Sequence, residues 1–204
     1  MRSRTTMELF QYWNAIRAER DLPRRDEIDP GQIRSLLPNL FILQRQADGD
    51  IRFRLAGTHV CALFGQELRD QKFAALWLDG EADKTARIAE QVMAQHAPVL
   101  LSAWGATGTA EPLDTELLLA PLASRDGTGD RVLGALSPLS RPAWLHMTPI
   151  AHLLTRGLRF LDPARNALPE RPEIVSNVTE ASPDGHGGMM VRKVRHLRVL
   201  EGGR

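Results

Sequence analysis

The sequence predicts an α+β fold in which helices pack across one face of a five-stranded antiparallel sheet. Two strand-like segments come first, a group of helices follows, and three further strand-like segments complete the order. Of the 204 residues, 43% are hydrophobic and 25% are charged, which excludes a disordered chain or a fibre. We expect three regions: an N-terminal helical cap at 1–38, the core at 39–140 and a C-terminal extension at 141–204.

The first 38 residues predict two helices. Thr5 and Glu8 have the spacing of a capping box. The apolar side chains that follow fall on one helical face: Leu9, Tyr12, Trp13 and Ile16. This stripe is too apolar to face water, so it docks on its own domain or on a second copy, and we expect a partner or dimer contact there. Asp29-Pro30 predicts the start of a second helix, which Pro38 ends.

The core begins with a predicted β-hairpin. The apolar run Leu40–Leu43 precedes Asp48-Gly49, a dipeptide typical of tight turns. Apolar and charged residues then alternate over Ile51–Leu55, so Ile51, Phe53 and Leu55 are predicted to face inward and the two arginines between them outward.

Helical patterns separate this hairpin from the later strands. Short helices are predicted at His59–Phe64, closed by Gly65, and at Phe73–Trp77. A longer helix is predicted at Glu81–His96. Strands are then predicted over three segments whose links are rich in turn residues: Pro98–Trp104, Thr115–Leu122 and Arg131–Leu139.

The pattern changes after Arg141. Apolar residues with helical spacing predict a helix over Met147–Leu161. Residues 163–188 are rich in proline and glycine, which predicts an extended or disordered stretch. The last segment, Met189–Leu200, alternates apolar and basic residues.

Charge and cysteine content limit the function classes. Lys and Arg total 26 against 25 Asp and Glu, a net charge of +1, so no global basic field indicates nucleic acid. The single cysteine cannot form an internal disulfide. The N-terminal residues lack the apolar region of a signal peptide, and no apolar run approaches the ~20 residues that span a bilayer. These absences predict a cytoplasmic protein without a membrane span.

An ordered set of motifs resembles a family of bacterial single-domain PAS proteins. The motifs are Trp13…Arg17…Pro23-Arg24-Arg25…Ile28-Asp29-Pro30…Leu36-Leu37-Pro38, then Phe53-Arg54-Leu55-Ala56-Gly57-Thr58, then Leu63-Phe64-Gly65, and His196-Leu197-Arg198-Val199-Leu200-Glu201-Gly202-Gly203 at the end. The resemblance covers most of the chain and is densest from Trp13 to Gly65. It implies a five-stranded antiparallel sheet with helices on one side, in agreement with the order of segments above.

The resemblance also implies a function. PAS domains are sensory or interaction modules, many of which bind a small ligand between sheet and helices and dimerise through an N-terminal helix. We therefore expect a homodimeric, stand-alone sensor or adaptor. With no room for an output domain after the core, its signal would pass to a signalling protein such as a histidine kinase or phosphorelay component.

The expected ligand site consists of residues predicted to point into the core. They are Phe53, Leu55, Cys61, Phe64, Trp77, Met93 and Trp104. The tryptophans either line a cavity for a planar ligand or fill it. Neither the residues nor the resemblance identifies a cofactor, which stays unknown.

Other chemistry has less support in the sequence. Cys61 lacks the neighbours of a flavin-reactive cysteine and is expected to be a small buried hydrophobe. His59 and His96 lack the convergent partners that a metal site needs, so no metal is expected. No catalytic motif is present, and we expect no enzyme. Two alternatives stay open: a ligand-free interaction scaffold, and a nucleic-acid-associated regulator that uses the basic segment Arg192–Arg198.

Overall fold

The computed structural model describes residues 1–108, 111–145 and 147–162, together with the backbone of 192–194 and 197–199. The chain divides into two compact units, Met1–Pro169 and Glu170–Arg204. In the second unit, the described strands β7 (Arg192–Val194) and β8 (Leu197–Val199) form an antiparallel pair. The proline- and glycine-rich stretch and the side chains of the basic segment lie outside the described residues.

The first unit contains a six-stranded antiparallel sheet and three α-helices. The strands are β1 (Leu40–Arg45), β2 (Ile51–Ala56), β3 (Val99–Ala106), β4 (Leu113–Leu122), β5 (Arg131–Pro138) and β6 (His152–Phe160). The helices are α1 (Arg4–Arg17), α2 (Thr58–Phe64) and α3 (Ala82–Gln95). The strand order across the sheet is β2-β1-β5-β4-β3-β6. None of the described helices is long and apolar enough to cross a membrane.

The sheet buries a hydrophobic cluster on each face. Residues of α2, α3 and the 3₁₀ turn Phe73–Leu76 pack on one face, together with Phe41, Leu117 and other strand residues; we call this cluster the inner core. Leu9 and Trp13 of α1 pack on the other face with Leu118 and Leu133, in the outer core. Alternate residues of each central strand therefore enter different cores, which explains why β4 is almost continuously apolar.

A sixth strand replaces an expected helix. The sequence pattern predicts a helix over Met147–Leu161, but His152–Phe160 is strand β6, paired antiparallel with β3. Only Leu153 in this strand is buried. Without β6, the backbone groups of β3 would be exposed along that edge of the sheet, so pairing outweighs the local helical spacing. The predicted strand count of five is therefore wrong by this added edge strand.

The N-terminal region departs from its predicted capping. Helix α1 begins at Arg4, and its N-cap residue Ser3 makes no side-chain cap hydrogen bond. The buried carboxylate of Glu116, on β4, instead accepts hydrogen bonds from the N–H groups of Arg2 (2.8 Å) and Ser3 (3.0 Å). The predicted second helix is also wrong: consecutive turns and the 3₁₀ turn Leu37–Asn39 follow Asp29.

The other predicted elements are found within a few residues of their expected limits. The β1–β2 turn places Gly49 at φ 88°, a conformation that favours glycine and explains the Asp48-Gly49 dipeptide.

Gly134 on β5 lies opposite Phe41 of β1. A Cβ atom at Gly134 would lie 2.1 Å from the Phe41 ring, so the missing side chain lets the ring lie across β5.

Candidate functional site

Aromatic rings in mutual contact form the centre of the inner core. The Phe41 and Phe53 centroids are 5.5 Å apart, and those of Phe53 and Phe73 are 6.0 Å apart. Trp77 extends the group, with its ring centroid 5.9 Å from that of Phe73. These contacts have the tilted and edge-on geometries that aromatic pairs favour, so the rings fill the space between β1, β2 and the 3₁₀ turn with protein side chains.

Four of the predicted ligand-site residues come together here. Phe53, Phe64, Trp77 and Met93 are all buried members of the inner core, and Cys61 packs against it. Their inward placement agrees with the sequence prediction. Ligand binding by them stays a prediction.

Trp77 carries a polar atom with no partner. Its side chain is 1% exposed, and its indole Nε1–H has no hydrogen-bond acceptor among the described residues. Buried N–H groups are nearly always hydrogen-bonded, and leaving one unpaired costs about 1–3 kcal/mol. An acceptor supplied by a small ligand or a water molecule would remove that cost.

The structure contradicts the inward placement of Leu55. The β1–β2 register shifts between Ile42 and Leu43, so that Leu43 pairs with Phe53 while Ile42 pairs with Leu55. Arg54 is the extra residue of this bulge, and it reverses the facing of the strand beyond it. Leu55 therefore lies on the outer side of the sheet, beside Ile42, and is 48% exposed.

Trp104 is also misplaced by the sequence prediction. It alternates along β3 with Ala103, which is in the inner core, and shares its face with Leu100 of the outer core. Its Nε1–H donates to Asp114 Oδ1 at 2.8 Å, and the Arg156 guanidinium lies 3.7 Å from its ring centroid. Hydrogen bonding and cation–π contact hold this tryptophan on the outer face, away from Trp77.

A concave surface on the outer side contains Leu55 and a group of arginines; we call it the basin. It has a volume of about 810 Å³, and Ile42 and Leu55 contribute apolar surface to it. Its basic lining residues are Arg25, Arg54, Arg69, Arg125 and Arg131. Sequence analysis missed this site because its five arginines are widely separated along the chain, and only the packing of strands and loops brings them together.

Residues 1–137 match the sequence model of the PAS domain. The chain belongs to the PAS domain family. A solved structure of a variant of RsLOV is similar at 19% sequence identity and a TM-score of 0.41, over 57% of this chain and 70% of that chain. No curated protein matches the sequence. The resemblance noted from the motifs is thus confirmed at the level of the PAS family, a family of sensory domains.

The matched residues 1–137 contain all three helices, strands β1 to β4, and β5 except for its last residue, Pro138. Strand β6 lies after the matched residues. This added strand is joined to the core from the helical side. The N–H of Leu78 donates to the carbonyl oxygen of Leu153 at 3.1 Å. Glu81, the residue before α3, accepts a 2.6 Å hydrogen bond from the N–H of Thr155. Burial is the largest effect and raises the pKa of Glu81, but hydrogen bonding from Thr155 and the positive charge of Lys84 together outweigh it, so the pKa lies below its ordinary value.

The remaining cysteine and histidine candidates show no sign of reactive chemistry. Burial raises the pKa of the Cys61 thiol above its usual value, which favours the protonated form at neutral pH. His96 ends α3 with a left-handed backbone, and its Nδ1 lies 4.0 Å from Asp21. Among the described residues, no group of three His, Cys, Asp or Glu side chains is arranged to hold a metal ion.

The first-helix stripe is only partly accessible. Leu9 and Trp13 are 0% exposed within the chain, and Trp13 Nε1–H donates to the carbonyl oxygen of Pro121 at 2.7 Å. Leu9 and Trp13 therefore dock on their own domain, the first of the two predicted alternatives, and the sheet covers them so that the predicted partner contact through these two residues is wrong. Tyr12 and Ile16 are half-buried at the edge of the outer core, and a partner contact through them stays a prediction.

Proposed function

We propose that this PAS protein is a cytoplasmic sensor and adaptor that binds a small ligand in its inner core and passes the signal by protein contact, without catalysis. The observation that supports the ligand is the buried, unpartnered Nε1–H of Trp77. Because aromatic rings occupy the surrounding core, the ligand is a small molecule with a hydrogen-bond acceptor rather than a large planar cofactor.

The contacts of the Trp77 region supply a route for the signal. Trp77 forms a β-bridge with Leu153, and Leu78 donates to the carbonyl of the same residue. A ligand on the indole N–H would favour one packing of this segment against β6 and shift the population of β6 arrangements. A signalling protein such as a histidine kinase or a phosphorelay component would then recognise the favoured state.

A ligand-free interaction scaffold is the second candidate. The close ring contacts among Phe41, Phe53, Phe73 and Trp77 favour it, because side chains that already fill a core leave little room for a ligand. In this case a water molecule would accept the Trp77 hydrogen bond, and only surfaces would carry information.

Native mass spectrometry of the freshly purified protein tests these alternatives. We expect one non-covalent adduct on the wild type that is lost in Trp77→Phe, which keeps an aromatic ring but removes the N–H donor. Trp104→Phe is the matched control, since it makes the same change on the outer face and should keep the adduct. A wild type with no adduct would favour the scaffold, and an adduct retained by Trp77→Phe would place the ligand elsewhere.

A further inference from the structure

The lining residues of the basin carry more positive than negative charge. Five arginines and two aspartates are among its lining residues. Asp26 is paired with Arg24, at 2.7 Å, and Arg24 is not one of the lining residues. The Asp126 carboxylate accepts hydrogen bonds from the Ser124 hydroxyl and the Thr128 N–H within its own loop. Asp126 is thus engaged within its own loop, and the hydrogen bond from Arg24 is the main cause that lowers the pKa of Asp26.

Arg25 and Arg54 are unengaged, whereas the charge of Arg125 acts on the carboxylate of Asp26 and lowers its pKa. Within the described part of the chain, the guanidinium groups of Arg25 and Arg54 make no hydrogen bond or ion pair. Arg131 lies 3.6 Å from Asp130, and Arg69 lies 3.9 Å from Asp70, both longer than a charge-assisted hydrogen bond. Several guanidinium groups around one concavity create a local positive potential that attracts anions.

The backbone fixes where these charges lie. Arg25 is held by a 2.9 Å hydrogen bond from its N–H to the carbonyl of Ala123. Arg54 is placed by the β-bulge, which also turns Leu55 to the outer side. The bulge therefore puts an exposed apolar side chain directly beside a free guanidinium group.

We propose that the basin binds a small anion of the nucleoside diphosphate class, with its phosphates on Arg25 and Arg54 and its ring system on Leu55 and Ile42. Arginine recognises phosphate oxygens through paired N–H donors, and two separated guanidinium groups suit two linked phosphates. The volume of about 810 Å³ lies in the range of about 300–1,000 Å³ that is common for small-molecule sites. An acidic polypeptide is the competing class of ligand, but an extended chain would neither fill the concavity nor cover the apolar surface of Leu55 and Ile42. This site is separate from the ligand proposed at Trp77, and either can fail without the other.

Calorimetric titration of the full chain with ADP, pyrophosphate and adenosine tests the proposal, at about 0.15 M salt to screen unspecific attraction. We expect saturable one-to-one binding of ADP and of pyrophosphate, with ADP tighter because its ring covers Leu55, and no binding of adenosine. Arg25→Gln and Arg54→Gln should each weaken ADP binding by at least about tenfold, since each removes a charged hydrogen-bond donor. Arg87→Gln, at an exposed position of α3 on the other side of the sheet, should change it by less than about twofold.

Four results would overturn the proposal. The first two are no saturable binding of ADP or pyrophosphate, and an Arg87→Gln variant that weakens ADP binding as much as Arg25→Gln or Arg54→Gln does. The third is binding of adenosine as tight as that of ADP. The fourth is a glutamate-rich peptide that binds more tightly than ADP and depends on Arg25 and Arg54 in the same way. Circular dichroism of each variant should match the wild type, and Arg54→Lys provides a second test. It keeps the charge but loses the paired donors, so weakened binding would again support recognition by guanidinium.

Discussion

Glu116 shows how one side chain can fix a whole helix. Its carboxyl group is 2% exposed, on the outer face of β4. It accepts hydrogen bonds from the N–H groups of Arg2 and Ser3 and from the hydroxyl of Thr6. The first N–H groups of a helix have no partner inside the helix, and the helix dipole favours a negative charge there. A strand residue thus anchors the start of α1, whereas the sequence pattern assigns the capping of this helix to Thr5 and Glu8.

Replacing Glu116 with alanine tests this role. We expect Glu116→Ala to lower the free energy of unfolding by about 1–3 kcal/mol, because it leaves buried donors without an acceptor. Urea denaturation followed by fluorescence measures the change. Glu111→Ala, at an exposed carboxylate on the approach to the same strand, should change it by less than about 0.5 kcal/mol. Equal effects of the two substitutions would show that Glu116 is not the anchor of α1.

The success of sequence prediction at single residues depends on strand regularity. Phe53 faces the inner core because Ile51–Phe53 alternates without interruption. Leu55 follows the same alternation in the sequence but lies after a bulge, so it faces the outer side instead. No local sequence pattern predicts this bulge. The sequence predicts that Trp104 points into the core, yet its face is set by the register of β3 and by contacts with Asp114 and Arg156 that only the folded sheet brings about.

At the scale of elements, the attachment of β6 depends on a charged hydrogen bond. Glu81 accepts the N–H of Thr155, and the pKa of Glu81 is lowered from the ordinary value of 4.5. A carboxyl group whose pKa is lower in the folded state stabilises the fold at pH values above its unfolded pKa. That stabilisation is lost as the pH falls through the lower, folded-state pKa.

The variant Glu81→Gln separates this contribution from other acid effects. At pH 7 we expect the variant to be less stable than the wild type, since glutamine accepts the Thr155 hydrogen bond without a charge. The difference should begin to shrink below about pH 4.5, the ordinary pKa of the carboxyl group in the unfolded chain, and should be lost as the pH falls through the lower folded-state pKa. Urea denaturation from pH 7 to pH 3 measures it, with Glu90→Gln, exposed on α3, as the control. A difference that is independent of pH would contradict a role for the Glu81 charge.

Elements with strong local signals were predictable, and the one decided by distant pairing was not. The Asp48-Gly49 turn, the amphipathic pattern of α3 and the apolar strands β3 to β5 carry local information about their conformation. The apolar spacing at Ile150, Leu153 and Leu154 is compatible with a helix. It is equally compatible with a strand that has one buried residue. The open edge of β3 decides between them, and it exists only once the sheet has formed.

The PAS unit has two chemically different candidate sites on opposite faces of one sheet. Trp77 lies in the inner core with an unpartnered donor, and the basin lies on the outer side with unpaired guanidinium groups. Helix α1 covers part of the outer face through Leu9 and Trp13. The accessible edge of α1 on this face includes the half-buried apolar side chains of Tyr12 and Ile16.

A homodimer through that edge is the last prediction, and Ile16 is the residue that tests it. A second copy would bury the exposed part of Ile16, whereas a glutamate there would place a charge in the interface, which is unfavourable without a partner. We expect sedimentation equilibrium to give a dimer for the wild type and a monomer for Ile16→Glu. Ala15→Glu adds the same charge at an exposed neighbouring position and should leave the dimer intact. A monomeric wild type would exclude the contact, and dissociation of both variants alike would attribute the effect to charge rather than to burial of Ile16.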